Sequence, residues 1–278
     1  MTDQTPRTYP QGVPSWIDAR QPDPDAAQAF YGGLFGWDFE ERLPPGTPGS
    51  YRIVSIDGHE VGAVASSDEP ATWLTYIAVD DADAVARRVT ELGGTAGPAE
   101  DAGPGGAAGR SVDCVDPRGA AFGLWQARAR LGAQHINAPG GWVFSDLRST
   151  DPEQAIGFYE QLFGWQVSGI EEGPSAMVRL PGYGDHLAAT SDPDIRERQA
   201  GAPEGFADVI GALDKLDAGA DDWHVSFSVA DRDGAAALAE RLGGRVLGSW
   251  DGFWTRAAEL QDPQGATFRV TQFAPQDG

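Results

Sequence analysis

The sequence predicts an α+β fold of four β-α-β-β-β modules arranged as two similar halves, and three observations carry that expectation. The stretch Asp23–Trp37 (DPDAAQAFYGGLFGW) returns as Asp151–Trp165 (DPEQAIGFYEQLFGW), 151 − 23 = 128 residues later in a chain of 278. A repeat of that length is one structural unit used twice. A second pair of marks, DPRGAAFGLWQ from Asp116 and DPQGATFRVTQ from Asp262, stands before the last strand of each half. Within each half, a strand, a helix and three strands follow one another twice.

In the first half, Val13–Ala19 alternates as a strand does. Asp23 then caps a helix and Pro24 opens it. Ala26, Ala29, Phe30 and Leu34 recur at helical spacing, and Gly36 suits the helix end. Strands are expected at Trp37–Arg42, Tyr51–Asp57 and Val61–Ala65, separated by Gly and Pro. The pattern restarts with a strand at Thr72–Val79 and a helix at Asp81–Leu92 closed by Gly93-Gly94. Strands near Thr95–Ala99, Arg110–Val115 and Ala121–Gln126 complete the half. The link is expected at Arg128–Gly141, giving domains 1–130 and 140–278.

The second half repeats the order: strand Trp142–Arg148, helix Asp151–Phe163, and strands near Trp165–Glu171, Ala176–Leu180 and Leu187–Thr190. After them come strand Trp223–Val229 and helix Asp231–Leu242, closed by Gly243-Gly244. Strands near Arg245–Ser249, Thr255–Gln261 and Thr267–Phe273 end the chain. The DPxG marks are 262 − 116 = 146 residues apart, so extra length enters the second half, mainly as a polar loop at 191–222.

Composition narrows the function. A formal net charge of −22 argues against a nucleic-acid partner, which needs a basic face, and favours solubility and a cationic ligand or partner. No apolar run approaches the ~20 residues that span a bilayer, and the polar N-terminus MTDQTPRTYPQG is not a secretory signal, so no membrane partner and a cytoplasmic protein are expected. One cysteine, Cys114, excludes a disulfide framework and a cysteine zinc site, and reads as a buried inert thiol. There is no nucleotide loop, nucleophile elbow or zinc-protease motif.

Strand alternation assigns two faces. Ile17, Ile77, Val79, Phe122 and Leu124, with Val143, Leu147, Val225, Phe227, Val229, Phe268 and Val270, form a core face for the helices. The opposite face carries Trp16, Asp18, Leu74, Tyr76, Gly123 and Trp125 in the first half. In the second it carries Trp142, Phe144, Asp146, Arg148, His224, Ser226, Arg269 and Thr271. This mixed aromatic and polar lining is that of a small-molecule cavity. Trp37 and Trp165 read as core, and Trp250 and Trp254 as a rim.

Four such modules in two pairs, with D-P-x-x-A…F-Y…L-F-G-W and D-P-x-G, resemble the vicinal oxygen chelate superfamily, which includes glyoxalase I, extradiol dioxygenases and bleomycin-resistance proteins. The likeness is greatest to two-domain actinobacterial members, and the Ala-, Gly-, Asp- and Pro-rich composition, with a single lysine (Lys215), suits a GC-rich actinobacterial genome. The resemblance implies two glyoxalase-like domains whose curved sheets enclose cavities, with helices outside.

The superfamily's enzymes hold a divalent metal through His and Glu on four strands. Carried over position by position, the resemblance places those ligands at Trp16 and Phe144, Leu74 and His224, Gly123 and Arg269, and near Gly62 and Ala188. Only His224 is a metal donor. The implied reading is the fold without a metal or other cofactor, with a displaced site at His59, Glu60, Asp185 or His186 as the alternative.

The chain is therefore expected to be a metal-free binding protein for a planar aromatic secondary metabolite or antibiotic, in sequestration, resistance or an accessory biosynthetic role beside a biosynthetic enzyme. The expected ligand-binding residues are Trp16, Asp18, Tyr76, Trp125, Trp142, Phe144, Arg148, Ser226 and Arg269. The alternative is a tailoring enzyme of antibiotic biosynthesis, metal-dependent or using His224 as base with Asp146 orienting it. A third possibility is an interaction protein whose cavity is filled by its own side chains.

Overall fold

A computed structural model describes residues 5–168 and 175–275. The first half contains β1 (Pro14–Gln21), α1 (Pro24–Phe35), β2 (Asp38–Glu41), β3 (Tyr51–Ile56), β4 (His59–Ser66), β5 (Thr72–Ala78), α2 (Ala82–Glu91), β6 (Thr95–Ala96), β7 (Glu100–Ala102), β8 (Gly109–Val115) and β9 (Ala121–Ala127). The second contains β10 (Trp142–Ser149), α3 (Pro152–Phe163), β11 (Gln166–Ser168), β12 (Ser175–Arg179), α4 (Tyr183–Ala189), α5 (Ile195–Arg198), β13 (Val209–Lys215), β14 (Asp222–Ser228), α6 (Arg232–Arg241), β15 (Arg245–Asp251), β16 (Thr255–Gln261) and β17 (Thr267–Phe273).

Each half forms one sheet. The strand orders are β2-β3-β4-β1-β5-β9-β8-β6, with β7 also on β8, and β11-β12-β13-β10-β14-β17-β16-β15. In every module the first strand runs parallel to the last: β1 with β4, β5 with β9, β10 with β13, and β14 with β17. The strands leading back to that last strand pair antiparallel: β3 with β4, β8 with β9, β12 with β13, and β16 with β17. This is the crossover expected of β-α-β-β-β units.

The repeated motifs act locally as the sequence suggests. The Asp23 carboxylate accepts from the backbone N–H groups of Asp25 and Ala26, and Gly36 closes α1 at φ 72°. Asp151 accepts from Gln154 N–H, and Gly164 closes α3 at φ 77°. Such caps satisfy end groups that the helix itself leaves unpaired.

Packing divides the chain into two compact units, each taking one module from each half. One contains Thr75–Gly132, Ser145–Trp223 and the chain up to Trp16; the other contains Ile17–Leu74, Ala133–Phe144 and His224–Gly278. In the first unit α2 and α3 share a core of Ile77, Phe122, Leu124, Leu147, Phe158, Tyr159 and Trp165. In the second, Phe30, Tyr31 and Phe35 of α1 meet Trp37, Trp73, Phe227 and Phe268, with ring centroids 4.9–6.4 Å apart. Trp37 and Trp165 are buried, as expected, and each indole N–H donates to a backbone carbonyl at 2.8 Å, Gly140 and Gly12 respectively.

This arrangement explains why both motifs recur together. The Tyr31 hydroxyl donates to Asp262 at 2.8 Å and the Tyr159 hydroxyl to Asp116 at 3.1 Å. The tyrosine of each FY pair thus bonds to the DPxG aspartate of the other half. Burial, followed by the adjacent aspartate, raises both phenols well above their ordinary range.

Two expectations are corrected in the long second half. Leu187–Thr190 is not a strand: Tyr183–Ala189 is α4. The strand beside β10 is β13, inside the stretch expected to be a loop at 191–222. Consequently Gly211, not Ala188, is the counterpart of Gly62. A Cβ at Gly62 would lie 2.6 Å from Ile17 O, and one at Gly211 2.6 Å from Ser145 O, so the first and last strands of both modules approach at a glycine. The end of the expected strand at 169–171 lies outside the described residues.

Candidate functional site

The two sheet faces away from the helices differ. In the first unit the expected lining residues Trp16, Tyr76 and Trp125 are all buried. Tyr76 covers Gly123 so closely that a Cβ there would lie 2.1 Å from its ring, and Trp125 covers Gly109 in the same way, at 2.4 Å. The Trp125 indole N–H donates to Arg130 O at 3.0 Å, and the Arg130 guanidinium stands 5.5 Å over Trp16. These aromatics pack against their own chain. Asp18, which falls in the second unit, accepts a hydrogen bond from the Tyr51 hydroxyl at 3.1 Å.

The face of β14–β17 is built differently. Parallel pairing aligns Ser226 with Arg269, antiparallel pairing aligns Arg269 with Glu259, and Glu259 with Gly248, so these residues form one row across four strands. The next row contains Ser228, Thr271, Ala257 and Trp250. On the opposite face Val225, Phe227, Phe268, Val270, Ala258 and Leu260 are buried. The alternation that buries those side chains forces the polar set onto the other face.

His224 Nε2 lies 2.9 Å from Glu259 Oε1, and Arg269 Nε 3.9 Å from Glu259 Oε2. The Arg269 guanidinium stands 5.3 Å over the Trp250 ring, a stabilising cation–π geometry. His224 is only 1% exposed. The Glu259 oxygen lies off the line of its ring N–H, so Nε2 makes no aligned hydrogen bond. The Ser226 hydroxyl and the Trp142 indole N–H, in the same unit, are also buried without a hydrogen-bond partner. Buried polar atoms are ordinarily paired; such unmatched atoms occur in both units, Gln21 Oε1 in this one and Arg179 Nε in the other among them, and the three here stand on or beside the β14–β17 strands. Beyond this floor, Trp250 is 43%, Phe253 60%, Trp254 45% and Phe273 72% exposed. Trp250 and Trp254, expected at a rim, are thus exposed, together with two phenylalanines.

The other expected site residues have structural partners. Asp146 is buried and accepts from the Ala212 N–H at 3.0 Å, and the carboxylate at His224 is Glu259. Arg148 forms a bidentate ion pair with Asp222, its Nε bond at 2.7 Å. Phe144 is half-buried, two residues after Trp142 on β10. Cys114 is buried and burial pushes its thiol up to about 12, leaving it unreactive. Glu259 is the residue that sequence reading missed; its place in the alternation Thr255, Ala257, Glu259, Gln261 was the available signal.

A family model described as a glyoxalase-like domain matches the chain twice, over residues 16–125 and 142–271. The Mycobacterium bovis protein named "Putative glyoxylase CFP32" is 36% identical, covering 96% of this chain and 97% of its own. The Streptomyces peucetius "Anthracycline biosynthesis protein DnrV" is 33% identical, covering 95% and 94%. Among solved structures, the Mn(II)-bound glyoxalase from Novosphingobium aromaticivorans superposes with a TM-score of 0.60 at 16% identity, covering 94% of this chain and 82% of that one. At this identity the likeness shows the fold.

A divalent metal does not fit the residues at the β14–β17 face. Its available donors are His224 and Glu259, and the third position holds the Arg269 guanidinium, which would repel a cation. Asp185 pairs with Arg196, and His186 Nε2 sits 3.0 Å from the Thr8 hydroxyl. Among the described residues, no three of His, Cys, Asp and Glu are grouped to hold a metal ion. No helix among them is long and apolar enough to cross a membrane.

Proposed function

This chain belongs to the glyoxalase-like family in both of its halves, and on that footing we propose that it binds a planar, oxygen-bearing aromatic metabolite on the β14–β17 face. The observation that carries the reading is the pairing of a buried, incompletely satisfied polar floor with an exposed aromatic rim on the same strands. The rim supplies flat apolar surface for stacking. Arg269 and Ser226 supply donors to ring oxygens, and the Trp142 N–H adds a third.

The name of the Streptomyces peucetius relative supports a polycyclic aromatic ligand of the antibiotic type. The binding role is cytoplasmic, either as sequestration or as an accessory to the enzymes that make the compound. The closely placed His224 and Glu259 also favour a second reading, a tailoring enzyme using acid–base chemistry on such a molecule.

Trp250, exposed and stacked under Arg269, is a built-in reporter. Titration with a hydroxyanthraquinone such as alizarin is expected to quench tryptophan fluorescence saturably. The Arg269→Ala protein should bind at least about tenfold more weakly, as expected for loss of a charge-assisted hydrogen bond and a stacked cation. Saturable quenching that is unchanged in both Arg269→Ala and Trp250→Ala would place the ligand elsewhere, and no quenching by any of a panel of aromatic polyketides would end the reading.

A further inference from the structure

Three features of the β14–β17 face go further than stacking and hydrogen bonding. His224 Nε2 lies 2.9 Å from Glu259 Oε1 without an aligned hydrogen bond. A neutral imidazole has one protonated ring nitrogen and one that accepts. The neighbouring Glu259 and Arg269, of opposite charge and 3.9 Å apart, supply a carboxylate to stabilise an imidazolium and a guanidinium to stabilise an oxyanion. Finally, Ser226, directly beside Arg269 in register, has a buried hydroxyl without a partner. The charged groups on the strands packed beside His224 are Glu259 on β16, Arg269 on β17, and Asp146 and Arg148 on β10, with Asp222 on its own strand; Arg148 is paired with Asp222 and Asp146 accepts from the Ala212 N–H.

We propose that this face selects ligands with an acidic phenolic or enolic hydroxyl and binds them as the oxyanion, with the hydroxyl proton moved to His224. The ligand O–H bond breaks and an N–H bond forms at the unprotonated ring nitrogen of a neutral His224. The resulting imidazolium is held by Glu259, and the ligand's oxyanion is held by Arg269 and the Ser226 hydroxyl. No electron or further reactant is needed. The transfer leaves the total charge of ligand plus site unchanged, so it adds no net buried charge. His224 acts here as the proton acceptor and Glu259 as its positioning residue. The same transfer would supply the first step of a tailoring reaction on a phenol, and a site that only stacked its ligand would have no use for the pair.

This inference rests on the binding proposed above, and one experiment separates the two. Alizarin changes its visible absorption on losing a phenolic proton. It is titrated with protein about one pH unit below the phenol's own midpoint in the same buffer, while tryptophan quenching reports occupancy independently. The bound dye is expected to show the ionised band, its apparent midpoint lowered by about one unit, a tenfold effect. His224→Gln, which keeps a polar side chain but removes the acceptor, should still quench yet leave the dye neutral; Glu259→Gln should quench with a smaller band change. Quenching by the wild type without the ionised band overturns the proton transfer alone, as does an ionised band that persists in His224→Gln, which would assign the effect to Arg269. Absence of quenching by the wild type overturns the binding reading and this one with it.

Discussion

The two units put the same modules to different uses. In the first, the residues that alternation places on the inner face (Trp16, Tyr76 and Trp125) pack onto Gly109, Gly123 and Arg130 of their own chain. In the second, the corresponding face has His224, Ser226, Glu259 and Arg269, with buried polar atoms left unmatched. One face is packed with aromatics; the other leaves buried polar atoms without partners, a cost that a ligand would offset. The cores follow the same contrast in polarity. The first unit surrounds Asp116 with a second carboxylate, Asp221, paired to Arg118 at 2.8 Å. The second places the neutral Gln21 amide 2.8 Å from Asp262.

The largest test of this contrast is the removal of an aromatic from each face. Trp125→Ala should cost about 3–5 kcal/mol of stability, the range for truncating a buried aromatic, measurable by urea denaturation, while alizarin binding to the folded fraction survives. Trp250→Ala should stay within about 1 kcal/mol of the wild type, since it removes an exposed ring and one cation–π contact, and should lose quenching. If both variants lose binding and neither loses stability, the filled and open faces have been assigned the wrong way round.

A glycine pair gives a smaller version of the same test. Gly123→Ala drives a methyl into the Tyr76 ring at 2.1 Å, and overpacking of this kind costs about 1–3 kcal/mol. Gly248 lies beside Glu259 on the open face, and an alanine methyl there would meet nothing within 4 Å, so Gly248→Ala should be neutral or stabilising by about 0.5 kcal/mol. Thermal melts of the two variants should move in opposite directions or differ by several degrees.

Acid should distinguish the units through Asp221. Burial alone would raise its carboxyl, but hydrogen bonds from Arg118, Ser149 and Thr150 outweigh that and hold it at about 2, below the ordinary 3.8. A carboxyl held low stabilises the fold fully above its unfolded value, so its contribution is complete above about pH 4 and is lost as the pH falls through about 2. Asp116 runs the other way, since burial lifts it against its hydrogen bonds, and its protonation in acid relieves part of that loss. In Asp221→Asn, stability should start lower and its decline between pH 4 and pH 2 should flatten. An unchanged slope would mean that the acid-sensitive carboxylates lie elsewhere.

Much of the fold was legible because its signals are local. Asp23 and Asp151 cap helices within three residues of themselves, and Gly36 and Gly164 end them, so the repeated stretch specifies its own boundaries. The segment 187–215 was not legible. Leu187–Thr190 is a short apolar run without a period, and it belongs to α4, whereas β13 is concealed in a Gly- and Asp-rich stretch. At the site, alternation placed His224, Ser226 and Arg269 on one face. It did not show that Glu259, across two strand pairings, is the carboxylate that meets His224, because that depends on register. Nor could it separate lining from filling: Trp125 and Trp250 are both tryptophans on inner faces, and only packing makes one a plug and the other a rim.

The smallest expected effect is also the most discriminating, because its two readouts should part. Ser226 buries a hydroxyl without a partner, so Ser226→Ala removes no hydrogen bond from the free protein and relieves a desolvated group. Replacing an unmatched buried polar atom by a methyl is neutral or stabilising by up to about 1 kcal/mol. If the hydroxyl is kept for a ligand oxygen beside Arg269, the same substitution should weaken alizarin binding by about three- to tenfold, the worth of one neutral hydrogen bond of roughly 0.5–1.5 kcal/mol. Urea midpoints and quenching titrations on one preparation measure both. Weaker binding with undiminished stability would mark Ser226 as a group held in readiness for a ligand. Reduced stability with unchanged affinity would instead make it part of the second unit's own packing, and the open face would then resemble the filled one more than its polar floor suggests.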